Sequence, residues 1–247
     1  MKKISKVLLI ILTIFAVAAS VVLYVQYDNI SALINGMNTS SEDLAAQMND
    51  NREKLKEEVE KYTSSAINDI SAEDEEKLLN GEISIEDVAE KYQLPLEYMN
   101  DDSEDTMENS SDKTSTSGNT TPVTADNKDN EKEIDAAIST GVSKMYALKA
   151  KYVNKLGELE REVIKEYSNL PKEQQTEDNK YSLVMSNINY IAELEQKCDN
   201  EVAKVISSLE SELIRLNGNT EIIKILKDAY KQEKEVKKAY YLSLYNK

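Results

Sequence analysis

Nineteen consecutive residues without a charge or a proline, VLLIILTIFAVAASVVLYV at positions 7–25, constrain this chain more than any other feature. As an α-helix rising about 1.5 Å per residue, the run is roughly 28 Å long, close to the hydrocarbon thickness of a bilayer. A helix satisfies its own backbone polar groups, which lipid cannot do. Lys2, Lys3 and Lys6 precede the run, and the next basic residue after it is Arg52. Such positive charge stays in the cytoplasm, so residues 1–6 are expected as a cytoplasmic tail and everything beyond Val25 as extracytoplasmic. Tyr24 and Tyr27 fall at the outer end, where aromatic rings suit the headgroup zone.

A cleaved signal peptide is the competing reading. It asks for an apolar stretch of about 7–15 residues followed by a small-x-small site. Here Ala16, Ala18, Ala19 and Ser20 lie inside the run, and cleavage there would leave VVLYV at the new N-terminus. No cysteine closes the run to carry a lipid. The expectation is a retained single-pass anchor over 7–25, with membrane lipid as its partner.

The net charge of −16 is unevenly spread. Residues 28–131 hold 8 basic and 27 acidic side chains, whereas residues 132–247 hold 19 of each. Acidic surfaces repel phosphate backbones, so nucleic acid is not an expected partner. The chain has no histidine, the commonest general base and metal ligand. One cysteine, Cys198, allows no internal disulfide. Glycine and proline number 6 and 3, a composition that reads as predominantly helical.

Beyond the anchor, Ser40-Ser41-Glu42-Asp43 offers a capping serine and acidic residues for the first turn of a helix. Leu44, Met48, Leu55, Val59, Tyr62 and Ala66 then form a thin apolar stripe, interrupted by Asn51 and Arg52. Residues 26–70 are expected as a helical stalk, solvated and weakly paired with something, the sharper alternative being a coiled-coil seam with a second copy. Residues 71–99 read as a small acidic helical module. In it SAEDEEKLLNG is capped by Ser71 and stopped at Gly81, and Ser84 with Asp87 approximates a capping box before Leu94 and Pro95. The phrase ISIEDVAEKYQLP resembles the first helix and turn of helix-turn-helix DNA-binding domains. A recognition helix would follow with basic and amide side chains, but the continuation LEYMNDDSEDTMENSS is acidic.

Residues 100–130 are rich in Ser, Thr, Asn and Asp and nearly devoid of apolar side chains, the composition of a disordered linker. Asp101, Asp102, Glu104 and Asp105 lack the alternating oxygens and central glycine of a calcium loop and read as a solvated charge run.

Residues 131–247 carry the longest stripes. Met145, Leu148, Tyr152, Leu156, Leu159, Val163, Tyr167 and Leu170 recur in steps of 3-4-4, as do Ile191, Leu194, Cys198, Val202, Val205, Leu209, Leu213 and Leu216. That is an 11-residue period near the relaxed helix, so little supercoil is expected. Pro171 ends the first helix, and Asn217-Gly218-Asn219-Thr220 separates the second from a third with Ile222, Leu226, Ala229, Val236, Tyr240 and Leu244. Short connections make the helices antiparallel neighbours, which predicts a coiled-coil-like three-helix bundle. Gly157 inside the first helix reads as a tolerated defect, with close approach of another helix as the alternative, and Cys198 as a buried free thiol, with an interchain disulfide as the alternative. Tyr241 and Tyr245 lie about 100° from the core stripe, beside Lys237 and Lys238, and these four form the candidate partner surface.

No phosphate-binding glycine loop, serine–histidine or cysteine–histidine arrangement, or metal spacing occurs. Paired carboxylates are expected on exposed helix faces. The sequence therefore predicts an all-α, membrane-anchored extracytoplasmic protein, not an enzyme and without a cofactor or metal. Its expected role is structural, scaffolding or protein interaction, through a partner or self-association. A ligand-binding or sensing accessory domain is the second reading.

Overall fold

Ser40 turns the chain into its first described helix. Its Oγ accepts from the Asp43 N–H at 3.1 Å and donates to the Asp43 carboxylate at 2.7 Å. The structure, a computed structural model, describes residues 39–99 and 127–245. Among these every regular element is helical. In chain order they are α1 (Ser41–Val59), α2 (Ala72–Asn80), α3 (Ile85–Tyr92), a 3-10 turn (Leu96–Tyr98), α4 (Asn127–Asn169), a second 3-10 turn (Lys172–Gln174), α5 (Glu177–Ser186), α6 (Ile188–Arg215) and α7 (Glu221–Tyr245). The anchor at 7–25 lies outside the described residues, as does the linker up to residue 126. Among the described residues no helix is long and apolar enough to cross a membrane.

Local chemistry sets the boundaries. Ser71 accepts from the Asp74 N–H, and Gly81, in the left-handed region at φ 73°, ends α2. Ser84 and Asp87 form the full capping box of α3, which closes on Gln93 at φ 53°. Gln175 donates through Nε2 to the Ser168 and Leu170 carbonyls and so covers the open end of α4. α6 stops at Asn217, also left-handed at φ 53°, and the Gly218 N–H donates back to the Leu213 carbonyl at 2.7 Å. Asn219 accepts from the Glu221 N–H at 2.8 Å to start α7.

The chain divides into two compact units, Met1–Glu58 with Lys224–Lys247, and Val59–Ile223. In the first, Leu44 of α1 is buried with Val236 and Ala239 of α7, and Met48 and Tyr240 pack against them. This end of the expected stalk is therefore not a solvated rod.

In the second unit α4 is the central element. α6 runs antiparallel to it. Asn130 Nδ2 donates to the Leu216 carbonyl, a Cβ on Gly141 would touch Leu209, and Lys151 meets Glu201. The stripe of α6 is buried as expected from Leu194 through Val202, Val205, Leu209, Leu213 and Leu216. Ile191 is exposed and Cys198 is half-buried and in no disulfide. The first pair of the expected bundle thus forms, while α7 from Lys224 onward belongs to the other unit. The second cover on α4 is the segment 63–99, with α2, α3 and the first 3-10 turn packed along it. This explains why α4 buries Gly141, Val142, Tyr146, Ala147, Leu148, Ala150, Tyr152 and Val153 within little more than three turns. A single-stripe reading misses that second face.

Two further expectations are corrected. The helix of the stalk does not run to Ala66 but stops at Val59, and Ala66 is exposed in irregular chain. Gly157 is not a defect. A Cβ there would collide with the carbonyl oxygen of Leu79, at the end of α2. Only glycine lets that backbone approach so closely.

Candidate functional site

The four residues singled out from the sequence all lie on α7. Lys237 is 18% exposed, with Nζ 3.7 Å from the Glu233 carboxylate one turn earlier. Lys238 is half-buried and engaged. The side chains of Tyr241 and Tyr245 lie outside the described residues. The structure therefore places the two lysines near each other on one helix and leaves the tyrosine half of the surface undescribed.

The densest polar chemistry sits elsewhere, along the seam between α4 and the segment 63–99. At its first station Asp135 of α4 draws in a whole turn of chain. Thr63 Oγ1 donates to its Oδ1 at 2.6 Å and Ser65 Oγ to its Oδ2 at 2.7 Å, and Ser64 donates both its N–H and its Oγ–H. These hydroxyl hydrogen bonds, Thr63 first, hold the carboxyl down at about 2 from the ordinary 3.8. An acceptor bonded this fully stays ionised.

At the second station Lys149 of α4 reaches between two carboxylates, Glu75 Oε2 at 3.3 Å and Asp69 Oδ1 at 3.6 Å. All three side chains are largely buried, and the Lys149 ammonium also lies 5.9 Å from the centre of the Tyr146 ring. A third carboxylate, Asp74, faces α3. Lys91 Nζ and Tyr92 Oη both donate to its Oδ2, and these bonds lower its pKa. Tyr92 Oη in turn accepts from the Ser71 N–H. At the far end Arg161 Nη1 donates to the Leu79 carbonyl at 2.7 Å, beside Gly157, and its guanidinium lies against Gly81.

Asp74 and Glu75 are buried, so these carboxylates do not sit on exposed helix faces as the sequence suggested. Asp74 accepts from Lys91 and Tyr92, and Glu75 is ion-paired with Lys149. A carboxylate whose pKa is depressed has no proton to give at neutral pH, so Asp135 and Asp74 both act as fixed acceptors, the first fastening the irregular turn 63–65 to α4 and the second fastening α3 to α2. The sequence signals were the hydroxyl run Thr63-Ser64-Ser65 and charged residues at α4 positions that a single apolar stripe assigns to solvent. On the α6 side Lys151, 3% exposed, donates to both oxygens of Glu201 at 3.0 and 3.1 Å. Among the described residues no group of three His, Cys, Asp or Glu side chains is placed to hold a metal ion.

Large apolar side chains are exposed at one end of the α4–α6 pair: Ile164 at 56%, Tyr190 at 46% and Ile191 at 36%. From the Lys151–Glu201 contact, Ile164 lies 13 residues forward on α4, and the beginning of α6 lies 13 residues back. At about 1.5 Å per residue both are roughly 20 Å along, at the same level. Comparison of the chain with protein-family models, with curated proteins and with solved structures finds no match in any of the three.

Proposed function

We propose that this chain is a single-pass membrane protein that holds a helical interaction domain on the extracytoplasmic side, in a structural or scaffolding role. The observation that carries this reading is the uncharged run at 7–25 with three lysines before it and no basic residue until Arg52. The fold supports it. The buried polar groups of the second unit are spent on fixing α4 between two covers, which suits a rigid presenting body. Ile164, Tyr190 and Ile191 then offer that body an apolar end for a protein partner or a second copy. The topology is tested by adding protease to intact cells or protoplasts. Digestion of the helical region without lysis is expected, and protection until lysis overturns the proposal. The interaction role is tested by crosslinking in intact cells from a photoreactive residue at position 164 or 190. A discrete adduct is expected, to another protein or to a second copy. The same label moved to exposed Glu53 should give none, and identical products from both positions would count against the assigned end.

A further inference from the structure

Lys149 is held where a lysine side chain can react as well as pair. Its Nζ, on α4, stands 3.3 Å from Glu75 Oε2 on α2 and 3.6 Å from Asp69 Oδ1 in the chain leading into α2. The side chains of Lys149, Glu75 and Asp69 are only 11%, 9% and 14% exposed, so bulk water is largely kept from all three. Tyr146, buried one turn earlier on α4, sets its ring 5.9 Å from the same Nζ, and Ile70, next to Asp69, is fully buried. The neighbouring lysine contacts differ. Lys91 over Asp74 is 61% exposed, and Lys151 meets Glu201, which is 29% exposed. A desolvated lysine becomes a nucleophilic amine once a base takes its proton, and exclusion of water favours condensation over hydrolysis. Holding the amine and the carboxyl side by side on packed elements replaces the encounter that free groups would need. We infer that Lys149 and Asp69 condense into an isopeptide bond, with Glu75 as the proton carrier. Glu75, the nearer carboxylate, takes a proton from the Lys149 ammonium and passes it to Asp69. The neutral Nζ attacks Asp69 Cγ, the Nζ–Cγ bond forms and one Cγ–O bond breaks. That oxygen leaves as water with the transferred proton and a second one from Nζ, also carried by Glu75. Ammonium plus carboxylate thus gives amide plus water, nothing is oxidised or reduced, and Glu75 ends as the carboxylate it began as. Until the bond closes the three groups hold as ions, and their pairing energies are those of the uncondensed chain. The reaction lies within the second unit and needs neither bilayer nor partner.

The bond is tested by the mass of the full chain, shown by circular dichroism to be helical and then denatured. The chain is expected to be lighter than its sequence by one water, and a protease digest should yield a branched peptide that joins Asp69 to Lys149. Lys149→Arg keeps a cation between the carboxylates but offers no attacking amine, and Glu75→Gln removes the proton carrier. Both variants should keep the full mass of their sequences, with helical content unchanged. A helical parent chain at full mass overturns the bond, and so does loss of water without the branched peptide. A branch on Glu75 in place of Asp69, or condensation in Glu75→Gln, overturns the assigned roles.

Discussion

Two single residues test the seam most sharply. In an exposed helix Gly→Ala gains about 1 kcal/mol from helix propensity. At Gly157 the added methyl meets a backbone carbonyl that cannot rotate away, so the sign should reverse, with a loss of about 2 kcal/mol in urea unfolding. At Gly141 a Cβ would come 2.9 Å from Leu209 Cδ2, the far end of a flexible side chain, so Gly141→Ala should be close to neutral. Asp135 supplies a pH signature. Its folded-state value near 2 lies below the ordinary 3.8. Its stabilisation is therefore fully present above about pH 4 and is lost as pH falls through about 2. Allowing for its partial exposure, Asp135→Asn should cost about 1–2 kcal/mol at pH 7. The gap between variant and parent should close in unfolding curves recorded toward pH 2.

At the scale of elements, most helix ends were legible because they are written in local chemistry. Ser40, Ser71 with Gly81, Ser84 with Asp87, and Asn217 each do in the structure what their residue type predicts. What the sequence hid was tertiary. α1 stops at Val59 because the hydroxyl run that follows is captured by a carboxylate about seventy positions later. α5 begins inside the polar stretch QQTED, where no apolar period announces it. The second buried face of α4 is built from Asp135, Lys149, Gly157 and Arg161, which hydropathy assigns to solvent or to defect. Lys149 joins these elements, so its removal should be felt across them. Lys149→Met leaves Asp69 and Glu75 in a largely buried place without their cation and should destabilise by about 3 kcal/mol. Adding Asp69→Asn and Glu75→Gln should recover most of that loss, a coupling that a double-mutant cycle measures directly.

For the whole molecule, the membrane reading has a physical consequence apart from any partner. A run of 19 uncharged residues at 7–25 should hold the chain in the bilayer through an alkaline carbonate wash. A chain beginning at Gln26 should appear in the supernatant, with the helical content of the remainder unchanged by circular dichroism. Retention of the shortened chain in the pellet of lipid without negative charge would show that residues 7–25 are not what fixes it there.

The way α4 is covered also bears on how the protein is made. The ribosome delivers the segment 63–99 first, yet the residues it packs against, from Asp135 to Arg161, follow only after a further stretch of more than thirty positions. Until then the segment that holds Val88, Leu78 and Ile70, all but completely enclosed in the finished fold, lacks the cover of α4. A nascent chain arrested at residue 126 should therefore be cut readily by protease within 63–99, and the same sites should become resistant once synthesis has passed α6.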